Sequence, residues 1–297
     1  MKLTALLRRR LPALLIILTT APAGAQSDDF NDGNDAGWSK YEPLKSFGAA
    51  TSIAVSGGAY TLSCDPSPNE PQLGPARCGA LRPESYGTFC VMVDIVNWDP
   101  AEDTSMGILA RLGPNVGLGT TNGYAFTYQG KDGDVQISRV TGEAPTDLSG
   151  TPDVTLTPGN RYRLVFFGIG SHLEGRIYDL NDLSNPLVTA IGTDDTYSAG
   201  TCGLVVFADE NTRASATFDN YSAGTGTPPP LTVNIAAGTT TVSWNAAAGL
   251  CHSLEASNNL QNWSPLLGFT ALNGRTSFSE PYDPLVPSRF FRLRMGP

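Results

Sequence analysis

The sequence has little positive charge, almost no histidine and no long apolar run. Nineteen Lys and Arg stand against 28 Asp and Glu, a formal net charge of −9. Nucleic acid and anionic membrane surfaces reward positive patches, so neither is an expected partner. His172 and His252 are the only imidazoles. No C-x-x-C pair occurs, and a zinc site therefore lacks its usual ligands. Ser-His-Asp catalysis has only the same two residues to draw on. His172 follows Gly168-Ile169-Gly170-Ser171, which reads as a hairpin connection, and His252 falls in the C-terminal region. Phosphate-cradling motifs are also excluded, because no glycine-rich loop opens a helix. Convincing amphipathic helices are missing throughout.

The one apolar stretch, Leu11 to Leu18, follows Lys2 and the run Arg8, Arg9, Arg10, and precedes Ala23-Gly24-Ala25. These are the three parts of a secretory signal peptide. The stretch is shorter than the roughly 20 residues of a membrane span, which weighs against the alternative of an N-terminal anchor. Residues 1–25 are expected to be cleaved, leaving a secreted, extracellular or cell-envelope protein with no membrane insertion. The leader holds four of the nineteen basic residues and no acidic one. Fifteen then face 28 in the mature chain, a net charge of −13.

All five cysteines lie after the leader, where an oxidising compartment favours disulfides. Cys64 and Cys78 flank a proline-rich loop that a local bridge would staple. Cys90 and Cys202 sit in apolar strand-like runs that a bridge would join, leaving Cys251 over. Pairing is not deducible from sequence, and buried free thiols are the competing reading.

The 32 glycines and 22 prolines punctuate short runs of period-two hydrophobicity. Gly57-Gly58 reads as a hairpin turn between 51–55 and 59–64. In 88–98, Phe89, Val91, Val93 and Ile95 share one face and Met92, Asp94 and Val96 the other. About a dozen such strands imply an all-β, antiparallel sandwich. The stretch 223–230, ending in three prolines, is a linker. It separates residues 26–222 from a small unit at 231–297, whose core is expected to draw on Trp244 and Trp263.

Two features at opposite ends of the larger region carry a resemblance: Asp28-Asp29-Phe30-Asn31-Asp32 with Trp38, and Phe218-Asp219-Asn220-Tyr221. They resemble the paired terminal strands of concanavalin A-like jelly rolls, the superfamily of laminin-G-like domains, legume-type lectins and glucanases. Ser105 to Arg111 and Asn122-Gly123-Tyr124 resemble internal strands of its sugar-active branches. The resemblance implies a jelly-roll sandwich and a carbohydrate-binding or surface-interaction protein, with an extracellular glycan or cell-surface component as partner. A glycan-active hydrolase and a structural envelope or matrix component are the alternatives. In the keto-disaccharide hydrolase branch a glutamate neighbours the strand tyrosine. Ala125 stands there here, and no Glu-x-Asp-x-x-Glu motif occurs. Residues 231–297, with Val242-Ser243-Trp244, Leu254 to Ser257 and Phe290 to Leu293, resemble the immunoglobulin-like, fibronectin type III-like modules that end exported verrucomicrobial and planctomycete proteins.

Candidate site residues follow from residue chemistry. Asp94 and Glu174, with Arg111, are the candidate catalytic set, since glycosidases use two carboxyls about 5 Å or more apart. The competing reading is a structural Asp94–Arg111 ion pair. Tyr124 and Tyr128, with Phe126, form a stripe that suits either sugar stacking or the core. Trp38, Trp98 and Arg111 complete the candidate ligand-binding set. Asp28, Asp29 and Asp32, with Asn34, Asp35 and the approaching Asp219, offer oxygen ligands for a structural Ca²⁺. A solvated turn with Asx caps is the alternative.

Overall fold

The computed structural model describes residues 26–183, 185–208, 211–225, 230–246, 251–270, 274–286 and 288–295. The expected leader, the middle of the linker and the side chains of Cys251 and His252 lie outside the described residues. The larger sandwich begins with β1 (Gln26–Asp28), β2 (Ser39–Tyr41), β3 (Thr51–Ser56), β4 (Ala59–Cys64) and β5 (Arg77–Tyr86). Then come β6 (Phe89–Trp98), β7 (Thr104–Leu112), β8 (Gly123–Gln129), β9 (Val135–Thr141) and β10 (Ala144–Asp147). The last five are β11 (Tyr162–Ile169), β12 (His172–Asp179), β13 (Val188–Thr193), β14 (Gly200–Ala208) and β15 (Ala214–Gly224).

One sheet runs β13-β12-β11-β6-β15-β4-β3, with β1 added to β15; the other runs β10-β9-β8-β7-β14-β5-β2. Neighbours pair antiparallel. The chain's two ends of this body meet, because Asp28 lies opposite Tyr221. The expected all-β antiparallel sandwich is the fold found.

Parity along each strand decides what is inside. Phe89, Val91, Val93 and Ile95 of β6 enter the core between the sheets, as do Tyr124, Phe126 and Tyr128 of β8. The tyrosine stripe is thus core, and its aromatic rings meet Tyr197, Phe166 and Trp98 at 5.4, 5.7 and 5.9 Å. Two-residue turns fit the strand twist. Gly57 and Gly58 both have positive φ (61° and 77°), as a type I′ hairpin requires. The turn between β9 and β10 has the same signs at Gly142 and Glu143 (56° and 67°). A glutamate there carries a backbone cost that something else must offset.

Strand β5 is invisible to alternation because Pro83 interrupts it. A proline removes a ladder donor and is accommodated at edges and bulges. The β5–β14 register shifts between Thr201 and Gly203, opposite that part of the strand.

The C-terminal unit contains β16 (Thr232–Ala236), β17 (Thr239–Ala246), β18 (Cys251–Ser257), β19 (Ser264–Thr270), β20 (Gly274–Pro281) and β21 (Phe290–Met295). Two three-stranded sheets, β16-β17-β20 and β19-β18-β21, enclose Val242, Trp244, Leu254 and Leu293. Trp244 is core as expected. Trp263 is not: it is half-buried at the surface, with the Arg292 guanidinium 4.1 Å from its ring centroid.

Candidate functional site

The residues expected to bind or react are mostly structural. Asp94 is buried and held bidentately by Arg163, at 2.7 and 3.0 Å, with Asn220 donating at 2.9 Å. Glu174 is engaged by His172 and Arg176. Both carboxylates sit on the outer face of the eight-stranded sheet. Asp94 lies opposite Arg163 and Glu174 opposite Phe167, four residues away on β11. That offset is about 13 Å along the strands and about 10 Å across two of them. They cannot flank one glycosidic bond, for which about 5–9.5 Å is needed.

Arg111 does not touch Asp94. It is 2% exposed and donates to the carbonyls of Gly87, Gly170 and Tyr197 at 2.8, 2.9 and 3.1 Å. The guanidinium also lies over the rings of Phe89 and Tyr124. Burial lowers its pKa from the usual arginine range. One arginine therefore ties together three turns at one end of the sandwich. Trp38, Trp98, Tyr124 and Tyr128 all belong to the core between the two sheets, so none presents a face to a ligand.

At the acidic turn the Asx-cap reading is the one realised. Asp28 accepts from the Phe30 amide and the Trp38 indole, Asp29 from the Asn31 amide, and Asp32 from the Asn34 amide. Asp219 pairs with Arg161. Among the described residues no group of three or more His, Cys, Asp or Glu is placed to hold a metal. The four cysteines with described side chains form no disulfide in this structure. Cys90 and Cys202 cannot join: Cys90 has outward parity and packs with Met92, Val165 and Tyr178, whereas Cys202 faces the core.

The concave feature is elsewhere, on the outer face of the seven-stranded sheet, where a groove of ≈ 980 Å³ lies. Its floor is read off the register. Gln136, Thr127, Gly107, Val205, Gly79 and Tyr41 form one cross-strand row, and Ser138, Ala125, Leu109 and Gly203 form the next. Gln129, Ser105, Phe207 and Arg77 form a third. These are the alternates of the core positions. The hydroxyls of Ser105, Thr127 and Ser138 and the amides of Gln129 and Gln136 line the groove.

Four of its charged groups, Arg77, Asp103, Lys131 and Glu143, are bonded within the protein. Glu143, at the tip of the β9–β10 hairpin, meets Arg77 and Tyr41 from the opposite edge of the sheet. Arg77 donates two bonds to its carboxylate, at 2.9 and 2.8 Å, and the Tyr41 hydroxyl donates a third. This clasp crosses the concave face, and it holds Glu143 in its positive-φ turn. Burial and the adjacent carboxylate push the Tyr41 phenol well above its ordinary pKa. Asp103, 5% exposed, bonds to Gln129 and lies 3.5 Å from Lys131. No carboxylate stands in the two central rows of the floor. The signal for this site was present in the sequence as the small and polar alternates of β7 and β8, beside the aromatic stripe.

No protein-family model matches the sequence, and no curated protein matches it. Among solved structures the chain is similar to a carbohydrate-binding module, CBM66, from Bacillus subtilis. The identity is 16%, over 63% of this chain and 95% of that one, with a TM-score of 0.48. It is also similar to basic winged bean lectin (12%, 67% and 96%, 0.46). A prokaryotic β-1,3-1,4-glucanase from a mouse hindgut metagenome gives 15%, 68% and 99%, with a TM-score of 0.44.

Proposed function

We propose that this is an exported protein that binds a neutral glycan chain in the groove of the seven-stranded sheet. The observation that carries the reading is the floor itself. Ser105, Thr127, Gln136 and Ser138 line a groove of ≈ 980 Å³ together with Leu109, Val205 and Phe207. Alternating hydroxyls, amides and apolar patches complement a sugar, which has hydroxyl edges and apolar faces. Binding is favoured over hydrolysis because the two central rows lack carboxyls, and a general acid and its partner must flank the bond they cleave. The C-terminal sandwich is assigned as a fibronectin type III-like accessory module.

The test is a glycan and polysaccharide array with the secreted chain, run with calcium and with chelator. Selective binding without product release is expected, and chelation should not abolish it. Thr127→Trp, which fills the floor, should weaken binding at least tenfold, measured on folded protein with native circular dichroism. Trp98→Ala should instead cost about 3–5 kcal/mol of stability and leave the affinity of the folded protein intact. Failure to bind any glycan would sink the reading and favour a structural envelope role.

A further inference from the structure

Cys64 and Cys78 enter one core from the two opposed sheets. Cys64 ends β4 in the eight-stranded sheet, paired with Thr51 and Ala214. Cys78 lies in β5 of the seven-stranded sheet, opposite Val206. Both face the shared core, at 2 and 0% exposure. The neighbouring Cys64 thiol, together with burial, pushes the Cys78 thiol well above the ordinary range.

We infer that Cys64 and Cys78 are an intersheet disulfide-forming pair, held as thiols in this structure, that closes when the chain folds in the presence of a disulfide oxidant. The reaction is two successive exchanges. One cysteine thiolate attacks the oxidant and displaces its first thiol, and the second cysteine then attacks the mixed disulfide and displaces the other. Two cysteines lose two electrons and two protons, and the oxidant becomes two thiols. A thiol kept protonated in a closed core is a poor nucleophile, so the bond forms during folding.

The other cysteines with described side chains are badly placed to compete. Cys90 faces outward on the far side of its sheet. Cys202 is four residues along β14 from Val206, the partner of Cys78. That offset is about 13 Å, whereas bridged cysteines have Cα atoms roughly 4.4–6.8 Å apart. The closed loop would contain Leu73 and Pro75, whose carbonyls accept from Arg77 at 2.9 and 2.8 Å. Oxidation would therefore fix the base of the Arg77–Glu143 clasp. The inference goes beyond glycan binding and does not depend on it.

The full chain after its leader would be refolded in glutathione buffers from reduced to oxidised, then denatured and alkylated. The chain has five cysteines, so one bridge leaves three labelled. The expected result is three labels in oxidised buffer, a crosslinked peptide joining Cys64 to Cys78, and a Tm higher by about 6–12 °C. Cys64→Ser should then show all four remaining cysteines labelled. Five labels at every buffer ratio in protein with native circular dichroism would overturn the inference, as would a crosslink joining a different pair.

Discussion

At the scale of single residues, polar side chains that look reactive in sequence act as ties in the structure. Asp194 is an instance no motif announces. Its carboxylate accepts from the Tyr124 hydroxyl at 2.7 Å, the Thr196 amide at 2.8 Å and Arg139 at 2.8 Å. Burial alone would raise its pKa, but the bonds from Tyr124 and Thr196 and the Arg139 guanidinium outweigh it and bring it from 3.8 to about 2. A depressed carboxyl pKa stabilises the fold fully above the unfolded value and loses that effect as pH falls through the folded one. Asp194→Asn should thus be less stable than the parent by about 1–2 kcal/mol at neutral pH. The gap should narrow below pH 4 and close near pH 2. Urea unfolding at a series of pH values measures it, and a gap that persists at pH 2 would contradict the assignment.

At the scale of elements, the β9–β10 hairpin has a task beyond pairing. Its tip residue Glu143 adopts a conformation that glycine or asparagine would take more readily. The Arg77 bonds supply a reason for glutamate there. Side-chain exposures of 11% for Arg77 and 9% for Glu143 put the pair mostly out of water. Removing one partner leaves a buried charge unmatched, so Glu143→Ala, which keeps the Cβ and with it the cost of the turn, should destabilise by about 3 kcal/mol. Denaturant midpoints of the two proteins give the number. A neutral or stabilising result would mean that the clasp contributes no net stability.

At the scale of the whole molecule, charge would select among the glycans proposed to bind. The net charge of −9 is spread over a chain whose groove also carries Asp103, Asp132, Asp134 and Glu143 against Arg77 and Lys131. The field therefore opposes polyanions. A neutral polysaccharide should bind more tightly than a carboxylated or sulfated polymer of similar backbone at low ionic strength. The difference should shrink in high salt as the charges are screened. Titration calorimetry at two salt concentrations tests this, and a preference for the polyanion would require a different site.

Much of the architecture was legible in the sequence. A period of two is a local property of an extended chain with one buried face. It therefore marked the alternation in β6 and β8 and the glycine turns without knowledge of neighbours. The sandwich class and the meeting of the Asp28 and Tyr221 strands followed from such cues and from the resemblance. What failed were statements about which side chains meet. Asp94 took Arg163 in place of Arg111, because β11 pairs directly with β6 whereas Arg111 lies on β7 of the other sheet. Cys90 and Cys202 were separated by parity, and β5 was hidden by Pro83. The groove was recoverable only once registers aligned Ser105, Thr127 and Val205 across adjacent strands. Local pattern says which face a residue takes, and only the packed sheets decide what stands opposite it.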